Sequence, residues 1–152
     1  MTELDDLDRK ILRELQKDGG LSAAALAKRI GMSQPATWRR VRRLEDEGVI
    51  KSRYVVLDAE KLGFGVTVFL GVKLATKGRV SLADFERAIA AIPEVQLVQH
   101  VLGLFDFRLK VVARDLADFE RVLRRRIMTL PGVGDIEANV LLSEEKLNRP
   151  II

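Results

Sequence analysis

SAAALAKRIGMSQPATWRRVRRLEDEG, Ser22 to Gly48, decides how the chain is read. Ser22 and Ser33 are N-cap residues eleven positions apart, and Gly31 between them is placed to end a helix in the left-handed conformation. The spacing predicts a short helix with Leu26 and Ile30 on one face, then a glycine turn. A third helix follows, with Pro35 tolerated in its first turn and Gly48 closing it. Upstream, Leu4, Leu7, Ile11 and Leu15 recur at three- and four-residue steps, and Asp5, Asp6 and Asp8 lie where negative charge suits a helix start. Helix, helix, tight turn, helix is a helix-turn-helix arrangement.

Four arginines fall within six residues of the third helix. At 100° per residue, Thr37, Val41 and Leu44 form its inward line, with Pro35, Ala36, Arg39, Arg42 and Arg43 opposite and Trp38 and Arg40 at the flanks. Such a basic run on an isolated helix is ordinarily a solvated face. Here it follows a capped helix and a turn, and it begins with the small residues Ser33, Gln34, Pro35 and Ala36. Small residues let a helix end approach base edges, while arginines behind them reach guanine or phosphate. Ser33, Gln34, Pro35, Ala36, Trp38, Arg39, Arg42 and Arg43 are therefore the candidate DNA-binding residues. For Trp38 the flanking phase predicts partial burial at a helix seam ahead of stacking on a sugar. RVLRRRIM, Arg121 to Met128, is equally dense in arginine but has no turn or wing beside it, and reads as a solvated face or subunit contact.

Beyond Gly48, VIKSRYVVLDAEKLG is rich in β-branched and aromatic residues and predicts a short wing or strand leading into a linker. VTVFLGVKL, Val66 to Leu74, is a strand apolar on both faces apart from Lys73. A helix capped by Ser81 carries Phe85, Ile89 and Ile92. VQLVQHVL, Val95 to Leu102, and FRLKVVA, Phe107 to Ala113, form a hairpin. A second helix runs from Leu116 to Leu130, PGVG breaks it, and DIEANVLL is a fourth strand. The order βαββαβ predicts a ferredoxin-like sheet with two helices on one face and an opposite face apolar enough to need a partner. The fold class is α+β. The expected divisions are 1–57 for a winged helix-turn-helix, 58–65 for a linker and 66–152 for the βαββαβ domain.

Composition narrows the chemistry. Apolar residues make up 47% of the 152 positions, too many for a disordered chain. The absence of cysteine excludes thiol nucleophiles and thiolate metal sites, and the single histidine, His100, disfavours zinc and histidine-based triads. Neither a metal nor an organic cofactor is expected. Net charge is +4, of which the first 60 residues carry only +1, from 12 basic and 11 acidic side chains, so a basic site must come from local clustering. No apolar run reaches the roughly 18 residues a membrane span needs, and the acidic start lacks a secretory profile, which predicts a cytoplasmic protein.

Taken together and in order, several stretches resemble the Lrp/AsnC family, the leucine-responsive or feast/famine transcription regulators, over nearly the whole chain. They are LDDLDRKILRELQKDG, LAKRIGMS with RVRRLEDEGVI, LDAEKLGFG, GLFDFRLKVV and LPGVGDIEANVLLSEEK. The resemblance implies a DNA-binding winged helix-turn-helix joined to a ligand-sensing βαββαβ domain of the RAM type. It further implies homodimers that assemble into tetramers or octamers, and an amino-acid-like effector bound between subunits. In the family that effector sits near the glycine and aspartate of the hairpin turn and near hydroxyls of the last strand. Gly103 and Asp106 match the turn. Leu102 and Leu104 stand where more polar residues are common, and Ile136 and Ala138 replace the threonines. Leu102, Gly103, Leu104, Asp106, Ile136 and Ala138 are thus the implied ligand residues, for an effector more apolar than usual or for a weakened site. Two alternatives remain: an architectural protein that wraps DNA with little sequence preference, which the sequence alone does not separate from a regulator, and a tetrapyrrole-modifying decarboxylase, which fits less well for want of a second histidine.

Overall fold

The computed structural model describes residues 3–75, 81–145 and 151–152 and divides into two units, the first running to Val56 and taking in residues 151–152 as well, the second spanning Leu57–Glu145. The first unit holds three helices: α1 (Asp6–Lys17), α2 (Ala23–Ile30) and α3 (Gln34–Asp46). Helix α1 starts on a reciprocal capping box, in which Asp8 N–H donates to Asp5 Oδ1 at 2.8 Å and Asp5 N–H to Asp8 Oδ2 at 3.2 Å. Ser22 Oγ accepts from Ala25 N–H, and Gly31 closes α2 at φ 74°, which a side chain would strain. Ser33 and Ser81 occupy the N-cap positions of their helices without a side-chain capping bond. At α3, Thr37 Oγ1 instead donates back to the Ser33 carbonyl at 3.0 Å.

Ile11, Leu12, Leu26, Val41 and Leu44 form the core of this unit, with Leu4, Leu15, Leu21 and Ile30 packed around it. Ile152 packs there too, its N–H donating to Gln16 Oε1, although position 152 was expected with the sheet domain. The stretch expected as a wing strand is different in the structure. Residues 51–57 form no strand, and Tyr54, Val55, Val56 and Leu57 are exposed. Among the described residues no strand pairs with it, so its β-prone side chains lack the ladder that would make it one.

The expected linker opens the second unit as a single 3-10 turn, Glu60–Leu62. Then come β1 (Val66–Leu74), α4 (Leu82–Ala90), β2 (Val95–His100), β3 (Phe107–Ala113), α5 (Leu116–Val122) and β4 (Val133–Val140). All neighbouring strands are antiparallel, in the order β2-β3-β1-β4 of a ferredoxin-like sheet. Helices α4 and α5 begin with the same hexapeptide, LADFER, which puts Phe85 and Phe119 at equivalent buried positions. Several boundaries shift from expectation, β2 ending at His100 rather than Leu102 and β4 at Val140. The second helix leaves α geometry after Val122 for one π turn, Leu123–Ile127, and β4 begins at Val133, inside the supposed breaker.

Alternation sorts the sheet into two faces. Val68, Leu70, Val72 and Leu74 of β1, with Phe107, Leu109 and Val111 of β3, point toward Phe85, Ile89, Ile92, Phe119, Val122 and Ile127. The opposite face carries Phe69, Gly71 and Lys73 of β1, flanked by Arg108 and Lys110 of β3. The helical arginines 124 and 126 are tied to neighbouring carboxylates, Arg124 to Glu120 at 2.9 Å and Arg126 to Glu94 at 2.8 Å.

Candidate nucleic-acid interface and effector groove

Helix α3 buries Thr37, Val41 and Leu44, the line its periodicity predicted, and turns Ser33, Gln34, Pro35, Trp38, Arg39 and Arg42 outward, with Ala36 half-buried. Its four arginines do not share one environment. Among the described residues Arg39 has no carboxylate within ion-pair distance, and Arg42 meets only Asp46 at 3.7 Å and Glu45 at 4.0 Å on an exposed surface. Contacts of that kind contribute little and release their arginine readily.

Arg40 and Arg43 are tied to α1. Arg40 Nη1 donates to Asp5 Oδ2 at 2.6 Å and to Asp8 Oδ1 at 2.9 Å, while Arg43 Nη2 makes a short contact with Asp8 Oδ2. Arg43 remains exposed, 44% of its side chain, as expected, but its guanidinium is tied back to α1. The cause is Asp8, whose side chain is 1% exposed and which folds with its charge only if cations meet it. The Asp8 backbone N–H, and after it the Arg40 guanidinium, hold the Asp5 carboxyl below the ordinary carboxylate range. Hydrogen bonds from Arg40 to Asp5 and then to Asp8 raise the guanidinium above its already high value. The cluster joins residues 32 and 35 positions apart, so nothing in the local pattern of α3 reveals it.

Trp38 is 57% exposed. One side of it lines a hollow with Gln34, Pro35 and Arg39 at the start of α3, and the other lines a groove with Leu21, Ser22, Leu26 and Val41. Trp38 is thus more exposed than the partial burial expected of its flanking phase. Arg53, ion-paired to Glu45 at 2.9 Å, also lines that groove and was not among the expected residues.

In the second unit, a groove of about 450 Å³ lies on the sheet face away from the helices, within the size range of small-molecule sites. Phe69, Gly71, Gly103, Leu104, Phe105, Arg108, Glu137 and Asn139 line it. Gly71 is what admits the Phe105 ring, since a Cβ there would fall 2.5 Å from Phe105 Cδ2. The Arg108 guanidinium carbon stands 5.5 Å over the Phe69 ring centroid.

Of the six implied ligand residues, Gly103 and Leu104 reach this groove. Leu102 beside them is fully exposed. Asp106 Oδ2 accepts from Leu74 N–H at 2.9 Å, and its backbone bonds to Val72 and Val101, so the carboxylate ties the hairpin turn to β1. Gly103 has no positive φ and does not need glycine's conformational freedom. Ile136 and Ala138 pair with Val72 and Leu70, which puts them on the helix-side face, opposite the groove. Their neighbours Glu137 and Asn139, paired with Gly71 and Phe69, are the β4 residues that line it. His100, the one candidate for histidine chemistry, is exposed on the helix side, its ring 4.9 Å from that of Phe107.

Two family profiles match the chain: a winged helix-turn-helix DNA-binding profile over residues 4–51, and an Lrp/AsnC ligand binding domain profile over residues 67–151. The Bkd operon transcriptional regulator of Pseudomonas aeruginosa is 40% identical over 147 residues, covering 97% of this chain and 96% of its own. The leucine-responsive regulatory protein of Escherichia coli is 34% identical over 150 residues, covering 99% and 92%. Among solved structures, a transcriptional regulator from Neisseria meningitidis in complex with L-methionine superposes with a TM-score of 0.91 at 27% identity, covering 99% and 97%. An AsnC family regulator from Agrobacterium tumefaciens gives 0.85 at 35% identity, covering 95% and 94%. With both halves matched and in this order, the chain belongs to the Lrp/AsnC family of transcription regulators.

Proposed function

We propose that the chain is a sequence-specific DNA-binding transcription regulator that reads DNA with the start of α3 and is tuned by an amino acid or related small molecule held between subunits. The observation that carries the DNA reading is the outward face of α3, where Arg39 and Arg42 stand without a strong carboxylate partner behind the small residues Ser33, Gln34 and Pro35. No helix among the described residues is long and apolar enough to cross a membrane, in keeping with a regulator working in the cytoplasm on double-stranded DNA. A homodimer, or a tetramer or octamer built from it, would present recognition helices to half-sites about 34 to 36 Å apart or a multiple of that.

The groove on the outer sheet face supports the effector reading. A zwitterion leaving water needs both charges met, and Arg108 and Glu137 line one groove with opposite charges, beside the rings of Phe69 and Phe105. Ile136 and Ala138 face the other side of the sheet, so the charges offered to an effector in this groove are those of Arg108 and Glu137.

Two measurements separate the halves of this reading. Binding to the promoter region of its own gene should be tight and fall linearly with the logarithm of salt concentration, with a slope of about −0.9 for each phosphate neutralised. A thermal-shift screen of the amino acids should find one that stabilises the chain, by about 2.7 kcal/mol at 100 times its dissociation constant. A salt-independent or sequence-blind affinity would remove the first half, and no shift with any amino acid would remove the second.

A further inference from the structure

The arginine run of α3 has a partner that its own sequence does not announce. Arg39 and Arg42 form one row along the helix, and Arg40 and Arg43 form the next, rotated by about 100°. The second row meets Asp8. Both of its carboxylate oxygens are engaged, Oδ1 by Arg40 and Oδ2 by Arg43 and by the Asp5 N–H, while Asp5 Oδ2 takes a second bond from Arg40.

We propose that Asp8 is a positioning residue for DNA reading: it clamps Arg40 and Arg43 against α1, leaving Arg39 and Arg42 as the arginines of α3 that meet DNA. The inference rests on the DNA-binding reading above. For Arg40 or Arg43 to reach a phosphate, the 1%-exposed Asp8 would have to lose a cation that offsets its desolvation. The same Asp8 oxygen that meets Arg43 also takes the Asp5 N–H in the capping box that starts α1, so the carboxylate is held in place from the α1 side. The clamp thus does two things for recognition. It fixes the rotation of α3 about its axis, because two side chains three residues apart are tied to one carboxylate. It also lowers the count of mobile cations on the DNA-facing helix from four to two, which limits sequence-blind attraction to phosphate and leaves a larger share of the affinity to base contacts.

A tie between helices that served stability alone would not change the number of phosphates the protein neutralises, and salt dependence counts that number. The test uses the full chain with a random-sequence duplex and with the promoter fragment, measuring binding constants across a potassium chloride series. Asp8→Asn should steepen the slope on random DNA by about 0.9 for each arginine set free, and lower the ratio of promoter to random affinity. Arg43→Gln should leave the slope as it is in the unaltered chain. An unchanged slope in folded Asp8→Asn would overturn the proposal, as would a slope about 0.9 shallower in Arg43→Gln. If Asp8→Asn does not fold, the Arg43→Gln slope decides alone, since that change leaves the Asp8 and Arg40 pair in place. Failure of the unaltered chain to bind either DNA would instead overturn the DNA-reading assignment, and the clamp's role with it.

Discussion

Alanine at both Arg39 and Arg42 is expected to weaken promoter binding by about 2 to 6 kcal/mol, roughly 30-fold to 25,000-fold, while the chain stays folded. The estimate takes each arginine as a bidentate partner of guanine worth about 1 to 3 kcal/mol of discrimination. Folding should survive because both side chains are exposed and neither closes a hydrogen bond within the unit. Anisotropy titration against the promoter fragment and a random duplex checks both parts. If the arginines touch only phosphate, the loss will be similar on both DNAs. If they read bases, the promoter will lose more. Binding that survives the double change would mean that α3 is not the helix that reads DNA.

Phe107→Ala is expected to lower the stability of the sheet unit by about 3 to 5 kcal/mol. Phe107 is fully buried on β3, its ring centroid 4.7 Å from that of Phe85 on α4, and it pairs with Val72 across the sheet. Truncating it opens a cavity where α4 meets the two central strands, and the backbone pairing on both sides limits collapse into that space. A lower urea midpoint, followed by far-UV circular dichroism, is the measurement. A loss below 1 kcal/mol would show that the core relaxes around the gap. Because β3 also supplies Arg108 to the groove, the same variant should bind any effector found by the amino-acid screen more weakly.

How much of this was legible before the fold was seen depends on the range of the interaction. The helix starts at Asp5 and Ser22, the glycine turn at Gly31 and the buried line Thr37, Val41 and Leu44 are set within one or two helical turns, and the sequence pattern shows them directly. The βαββαβ order was legible for the same reason. Ser33 and Ser81 show the limit of local reading, since a residue type suited to capping does not ensure that its hydroxyl turns to the helix.

The candidate sites depended on longer range. Alternation alone placed Ile136 and Ala138 on one face of a strand, yet which face that is follows from their pairing with Val72 and Leu70, some 64 to 68 residues earlier. One step along β4, Glu137 and Asn139 face the groove instead. Likewise the phase of α3 gave Arg39, Arg42 and Arg43 one outward face, and Asp8 then tied the Arg43 guanidinium back to α1. By itself the sequence determined the family, the element order and the inward line of α3, because these rest on periodicity, caps and turns. Only the tertiary structure decided which arginines remain free and which face of the last strand meets the groove, because a buried carboxylate and a strand register act between residues that the chain keeps far apart.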